Sequence, residues 1–228
     1  MTTSALSRLD HITVAAATLR DGVDWVAARL KGITPPTGGA HPVMGTHNHL
    51  LRLGDCLFLE VIAPDPAVPV APRSPRWFAL DDPTFLDSLR RDGPRLATWV
   101  VRTHDIAAVA ARCPVPLGPP ERVGRGSLEW RITVPPDGAL PAGGVVPTLI
   151  QWPDDRPHPA ESMADFGVRL DSLTLHHPSP ALVAEALARL DVAEARPGGP
   201  VTVDPTPAAA PRLVARLRLY GGETVVLG

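Results

Sequence analysis

The chain has 228 residues, 44% of them hydrophobic and 20% charged, with a formal net charge of −2. That is enough apolar surface for a real core in one domain or one and a half, with the composition of an ordinary soluble globular protein. The near-neutral charge gives no electrostatic reason to expect nucleic acid or an anionic membrane as partner. The cysteines, Cys56 and Cys113, are too few for a disulfide framework, and no apolar run approaches the roughly 18 residues that a membrane span needs. The opening MTTSALSRLDHITV has no basic region followed by an apolar stretch, so no secretion leader is expected and a cytoplasmic location is the default.

Leu9 to Ala17, LDHITVAAA, alternates as a strand with His11, Thr13 and Ala15 on one face. A helix is predicted from about Leu19 to Leu30, its apolar stripe formed by Val23, Val26, Ala27 and Leu30, closed by Lys31-Gly32 and followed by PPTGG. His41 to Ile62 supplies two or three strands with a tight turn at Gly54-Asp55. In the last of them Leu57, Leu59 and Val61 alternate with Phe58, Glu60 and Ile62, so Glu60 stands mid-strand among apolar neighbours. A carboxylate there is costly unless hydrogen bonds, a cation or open water hold it.

Residues 63 to 76 form a proline-rich connector, and Asp82-Pro83 starts a helix that carries Phe85, Leu86 and Leu89 and stops at Gly93-Pro94. The opening pattern then returns. Leu96–Arg102 reads as a strand, Asp105–Cys113 as a helix, and Leu128–Val134 and Val145–Trp152 as two further strands. From Val168 a third unit repeats it, with VRLDSLTLHH, a helix from Ser179-Pro180 to about Leu190, and the strands ARLRLY and TVVLG. Three βαββ-type units are the main architectural expectation.

Strand parity places Asn48, Leu50 and Arg52 on the face of Glu60. Arg131 lies between Trp130 and Ile132, and with Arg52 it would suit a carboxylate or other anion; the alternative is a pairing of Arg131 with Glu129 on a solvated face. His47 and His49 share a face as a metal pair or as structural residues, and His176-His177 reads as structural. Trp77 and Phe78 either cap an apolar pocket or anchor the connector. No phosphate-binding loop, dinucleotide fingerprint, GxSxG elbow or CxxC motif occurs.

The combination of LDHITVA, GGAHPVMGTHNHLLRLGDCLFLEVIAPDP, RWFAL, SLEWRITVP and PTLIQWPDDRPHPA resembles the glyoxalase-like group of the vicinal oxygen chelate superfamily over roughly residues 8 to 180. The resemblance implies an α+β fold in which βαβββ modules, here 8–62 and 95–152 joined by 63–94, form a cupped half-barrel cleft. The expected division is a glyoxalase-like part, 1–160, with a third βαββ unit, 161–228, packed on it. It further implies a divalent metal (Zn, Ni, Fe or Mn) or a substrate held by the first and last strands of each module. His11 and Glu60 occupy those positions in module one, Thr98 and Gln151 in module two, and Ser172 and Gly228 in the third unit. The implied ligands are thus His11, Glu60 and Gln151, a set weakened by the departure in module two.

Two functions follow. One is a lyase, isomerase or dioxygenase acting on a small oxygen-rich molecule, with Glu60 as base or metal ligand and His11 as ligand or proton shuttle. Asn48, Arg52, Gln151, Arg131 and Trp77 would then bind the substrate. The other is a non-catalytic binding or sequestering protein with a dry pocket, in which His11 and Glu60 bond each other. The expected partners are a small-molecule ligand and a second copy in a homodimer, with no nucleic acid and no membrane.

Overall fold

Module one of the computed structural model runs β1 (Arg8–Ala15), α1 (Leu19–Arg29), β2 (Thr37–His41), β3 (Thr46–Gly54) and β4 (Leu57–Pro64). The structure describes residues 7–126 and 128–228; residues 1–6, on which part of the leader reading rests, and Ser127 of the SLEWRITVP segment lie outside the described residues. The Thr18 hydroxyl accepts from the Asp21 amide at 3.2 Å and caps α1. Gly22 lets that helix lie flush on the sheet, because a Cβ there would run into Val61 and Ala16.

The connector leads to α2 (Pro83–Asp92), capped by the Asp82 carboxylate, which accepts from the amides of Thr84 and Phe85. Module two follows as β5 (Arg95–Arg102), α3 (Ile106–Ala110), β6 (Pro120–Arg125), β7 (Leu128–Thr133) and β8 (Thr148–Gln151). The helix is shorter than its periodicity predicts, since Cys113 precedes a proline that disfavours helical geometry. β6 was not legible in the sequence: PERVGR is polar, carries Pro and Gly, and pairs only with β7 at a sheet edge.

The modules share one eight-stranded sheet in the order β2-β3-β4-β1-β5-β8-β7-β6. In each module the first strand runs parallel to the last, β1 to β4 and β5 to β8, and an antiparallel β1–β5 pairing joins the modules at the centre. The edge strands β2 and β6 approach each other, so the sheet curls into a nearly closed cup, with Gly39 in contact with the Arg125 side chain. Ile12, Leu51, Leu59 and Trp99 face outward, under α1, α3 and the third unit. Ile62, Val100, Trp130 and Ile132 face the concavity, which Trp77, Phe78 and Leu80 of the connector close over.

The third unit comprises β9 (Arg169–His176), α4 (Pro180–Leu190), β10 (Val201–Val203), β11 (Arg212–Arg218) and β12 (Thr224–Leu227). It repeats the order of element types but not the strand order. Its sheet reads β10-β9-β11-β12, with the first strand β9 in the interior and parallel to β10 rather than to the last strand. Ser172 and Gly228 therefore have no counterpart of the His11–Glu60 relation. Leu173, Leu175 and Leu213 of this unit join the same core cluster as Ile12 and Trp99. No helix among the described residues is long and apolar enough to cross a membrane.

Candidate functional site

Glu60 sits on β4 opposite Leu50 of β3 and beside Thr13 of β1, and is only 5% exposed. Its Oε1 accepts from Asn48 Nδ2 at 2.7 Å and its Oε2 from the Thr13 hydroxyl at 3.3 Å. His11 Nε2 lies 3.7 Å from Oε2. The period-two reading of β1, β3 and β4 thus brings Glu60, His11 and Asn48 to one face.

His11 is itself held from behind. Its Nδ1 is 2.7 Å from Asp10 Oδ1, and its ring stacks on Phe58 with centroids 4.5 Å apart. Asp10 is completely buried, and its Oδ2 accepts from Trp152 Nε1 at 2.8 Å and His158 Nε2 at 3.0 Å. Burial alone would raise the Asp10 pKa, but the hydrogen bonds and charges of His11 and His158 together hold it well below the ordinary carboxylate range. An ionised carboxylate only accepts, so the proton on His11 sits on Nδ1 and Nε2 is turned to Glu60. His158 Nδ1 accepts from the Ala160 amide, which fixes this second ring with its proton on Nε2.

His41 of β2 closes the polar end. Its Nδ1 meets the Thr46 hydroxyl at 3.0 Å and its Nε2 the Asn48 amide nitrogen at 3.5 Å. Burial is the main cause that pushes its pKa down, to about 4, so the ring is neutral at pH 7. Asn48 is fully engaged, since its Oδ1 also accepts from the Gly39 amide at 3.0 Å and Arg125 at 3.3 Å. These bonds fix the amide with its nitrogen toward Glu60.

The remaining walls are apolar and aromatic. Trp77 and Phe78 stack at 5.3 Å across one side, and Trp130, Trp152, Ile132 and Ile150 form the side contributed by module two. Trp77 Nε1 donates to the Thr46 hydroxyl at 3.2 Å. Arg76 anchors this stretch through Asp81 and the carbonyls of Gly45 and Val68. The pocket's free volume is about 40 Å³, room for roughly three waters.

Of the site residues expected from the sequence, Glu60, His11, Asn48 and Trp77 meet in this pocket. Three do not. Arg131 is exposed on the outer face, because Trp130 and Ile132 on either side of it point into the cup. Gln151 pairs with Arg131 across the strands and also faces out, its Oε1 accepting from the Ile106 amide at 3.1 Å; Ile150 is the inward residue. A slip of one residue in the assumed parity flips every side chain, and that is the error here. Arg52 shares the face of Glu60, but it is spent on Gly54, Asp55 and the Met163 carbonyl and does not line the pocket. The paired-arginine cleft is therefore not formed by Arg52 and Arg131.

The residues missed are Asp10, His41, Arg125, Trp130, Trp152 and His158. Asp10 precedes His11, so alternation assigns it to the opposite face; a register shift between Leu9 and His11 in the β1–β5 pairing goes with its placement beside the ring. The tryptophans do carry a signal in the sequence: they alternate with Arg131 and Gln151, and large apolar side chains seek the buried face.

A divalent metal does not fit this donor set. Both oxygens of Glu60 are hydrogen-bonded, His11 offers only Nε2, His41 has both nitrogens engaged, and Thr98 turns its hydroxyl to the Gly144 carbonyl at 3.3 Å. With Gln151 facing out, the implied ligands reduce to two, and among the described residues no three His, Cys, Asp or Glu side chains assemble as a ligand cluster.

Comparison with known proteins places this geometry. The family model of the glyoxalase-like domain matches residues 9–190, most of the chain. The chain belongs to the glyoxalase-like domain family. No curated protein matches it. Among solved structures, a hypothetical protein from Staphylococcus aureus aligns at 12% identity and a TM-score of 0.55, covering 82% of this chain and 75% of that one, which supports the fold alone. Methylmalonyl-CoA epimerase from Mycobacterium tuberculosis aligns at 21% identity and a TM-score of 0.42, over 67% of this chain and 93% of that one. The Streptomyces coelicolor epimerase aligns at 21% and 0.43, over 68% and 100%.

Proposed function

We propose that this glyoxalase-like protein binds a small oxygen-bearing molecule in the aromatic-walled pocket and moves a proton on it, as a lyase or isomerase. One observation carries the reading: a buried carboxylate, Glu60, lies 3.7 Å from an imidazole nitrogen whose partner nitrogen is locked by a buried aspartate. In the proposed step Glu60 takes a proton from a carbon next to a carbonyl. His11, whose Nε2 carries no proton, accepts that proton from Glu60 and passes it to the oxygen on which negative charge has developed or to the neighbouring carbon, and Asp10 stabilises the imidazolium formed in between without itself taking the proton. The dry module-two wall strengthens these interactions by excluding water. The dioxygenase reading needs a redox metal, and the two-ligand donor set gives it no support. The pocket lies within residues 1–160, and we assign the third unit, from β9 onward, a packing role beneath it.

The second reading is binding without chemistry, favoured by the continuous aromatic lining. Deuterium exchange separates the two. A panel of small carbonyl compounds and carboxylic acids with acidic C–H bonds is incubated with protein in D₂O and followed by proton NMR. The proposal expects wild-type protein to exchange at least one of them and Glu60→Gln to lose that exchange. Ligands that bind wild-type protein with no exchange in any of them would establish sequestration instead.

A further inference from the structure

The pocket opens into a larger groove of about 530 Å³ between the β2 edge, the Arg125 end of β6 and the 156–164 segment. Pocket and groove share Leu50, Arg125, Leu128 and Pro159, so one ligand can occupy both. That volume lies in the range of a small-molecule site, which the inner pocket alone does not reach. The groove lining includes two arginines, Arg125 and Arg156, and no carboxylate. Neither arginine takes part in an ion pair among the described residues. The half-buried guanidinium of Arg125 spends one N–H on Asn48 Oδ1, at 3.3 Å, and Arg156 is exposed on the facing rim. In a chain of net charge −2, two uncompensated guanidinium groups in one concavity form a local positive field.

We infer that the ligand is anionic at the end remote from the reacting carbon, with a carboxylate or phosphate held in the groove by Arg125 and Arg156. This rests on the reading of the inner pocket as the head-group site, and it supplies what that reading lacks, an orienting charge about which the head group turns toward Glu60. Guanidinium groups suit such oxyanions because they present several N–H donors in one plane. Arg125 links the two parts, since its bond to Asn48 leads directly to the Glu60 carboxylate.

The test is calorimetric titration of the whole protein with inorganic phosphate and, separately, with succinate, together with amide NMR mapping. At least one probe is expected to bind, to shift the amides of Thr37, Gly38, Leu128 and Ser162, and to weaken as salt is added. Arg125→Met and Arg156→Met should each weaken binding roughly tenfold to a hundredfold, the range for losing a charged hydrogen bond. Phosphate alone binding identifies a phosphate tail, succinate alone a carboxylate tail, and either supports the inference. Arg156 is exposed, so its variant keeps the test valid should Arg125→Met fold poorly. Failure of both probes, binding mapped elsewhere, or unchanged affinity in both variants would overturn it. Glu60→Gln should retain anion binding while losing deuterium exchange, so the groove and the proton-transfer reading fail separately.

Discussion

Asp10→Asn replaces one carboxylate oxygen by an NH₂ group and should disturb both stability and chemistry. The carboxylate accepts from His11, Trp152 and His158 at 2.7, 2.8 and 3.0 Å. An amide oxygen can keep two of these bonds as neutral ones, but its NH₂ group faces the N–H of His11 Nδ1, donor against donor. Bonds to a charged partner exceed neutral ones by about 1 kcal/mol each, so the three are worth about 3 kcal/mol more with the carboxylate. Burial works against the ion and returns part of this, leaving a net loss of about 2 kcal/mol at pH 7. For a chain of this size that lowers Tm by roughly 4–8 °C. The sign with pH follows from the lowered Asp10 pKa. The wild-type advantage is fully present above the ordinary carboxylate value of 3.8 and disappears as pH falls below it toward the depressed native value. Urea unfolding of both proteins at pH 7, 5 and 3 measures the difference. Relief of the donor clash forces His11 into its other tautomer, with N–H toward Glu60, so deuterium exchange should slow by about 10²-fold or more. An Asn variant as stable as wild type at pH 7, or a gap that widens on acidification, would refute this account of the Asp10 cluster.

Other outcomes follow from the same geometry. His41, neutral in the fold with a pKa of about 4 against an ordinary 6.5, binds its proton in the unfolded chain first, so stability should fall by about 3 kcal/mol as pH drops from 6.5 to 4. His41→Gln should flatten that part of the urea-denaturation profile, and an unchanged slope would contradict the assignment. Glu60→Gln should keep stability within about 1 kcal/mol, because the amide oxygen still accepts from Asn48 and the Thr13 hydroxyl can reverse to accept from the new NH₂; a loss of several kcal/mol in thermal unfolding would mean that the charge itself is structural. Dialysis against a chelator should leave Tm and deuterium exchange unchanged, since the site offers two ligands at most. Stoichiometric metal by elemental analysis, with Tm falling on its removal, would reverse the donor-set argument.

The modular architecture was readable because each module announces itself by a period-two strand followed by a period-3.6 helix and a Pro-Gly break. Glu60 was readable for a related reason: a lone carboxylate in LFLEVIAP interrupts an apolar strand and has to be explained. Parity then carried Asn48 correctly to its side. The same rule failed in module two, where it was anchored on the polar members of WRI and IQW. There the cup is lined by the tryptophans, and the polar residues face solvent and the start of α3. Asp10 was hidden by a register shift, and alternation has no term for one. Arg125 ends an edge strand so polar that no periodicity marked it. His158 follows the last strand of its module, and its place over Asp10 is a tertiary fact that no local pattern encodes.

The two modules share a topology but divide the site unequally, and that asymmetry constrains the chemistry. Module one contributes His11, Asn48, Glu60 and His41, whereas module two contributes Trp130, Ile132, Ile150 and Trp152 to the facing wall and one cation, Arg125, at the lip. Racemisation at one carbon by two groups requires bases on both faces of the planar intermediate. Here Glu60 and His11 stand on the neighbouring strands β4 and β1, 3.7 Å apart and therefore on one side. His41, the other titratable ring in the pocket, is neutral with both nitrogens engaged. On the proposed mechanism a proton removed by Glu60 returns to the same face, at the same carbon or at the neighbouring one through His11. The expected outcome is suprafacial exchange or a positional shift, without inversion. A chiral substrate identified by the deuterium screen, followed in D₂O by chiral chromatography and NMR, should incorporate label with retained configuration. Racemic product with label would require a second base across the pocket, where the wall offers only indole rings and aliphatic side chains, and would remove Glu60 and His11 from their assigned roles.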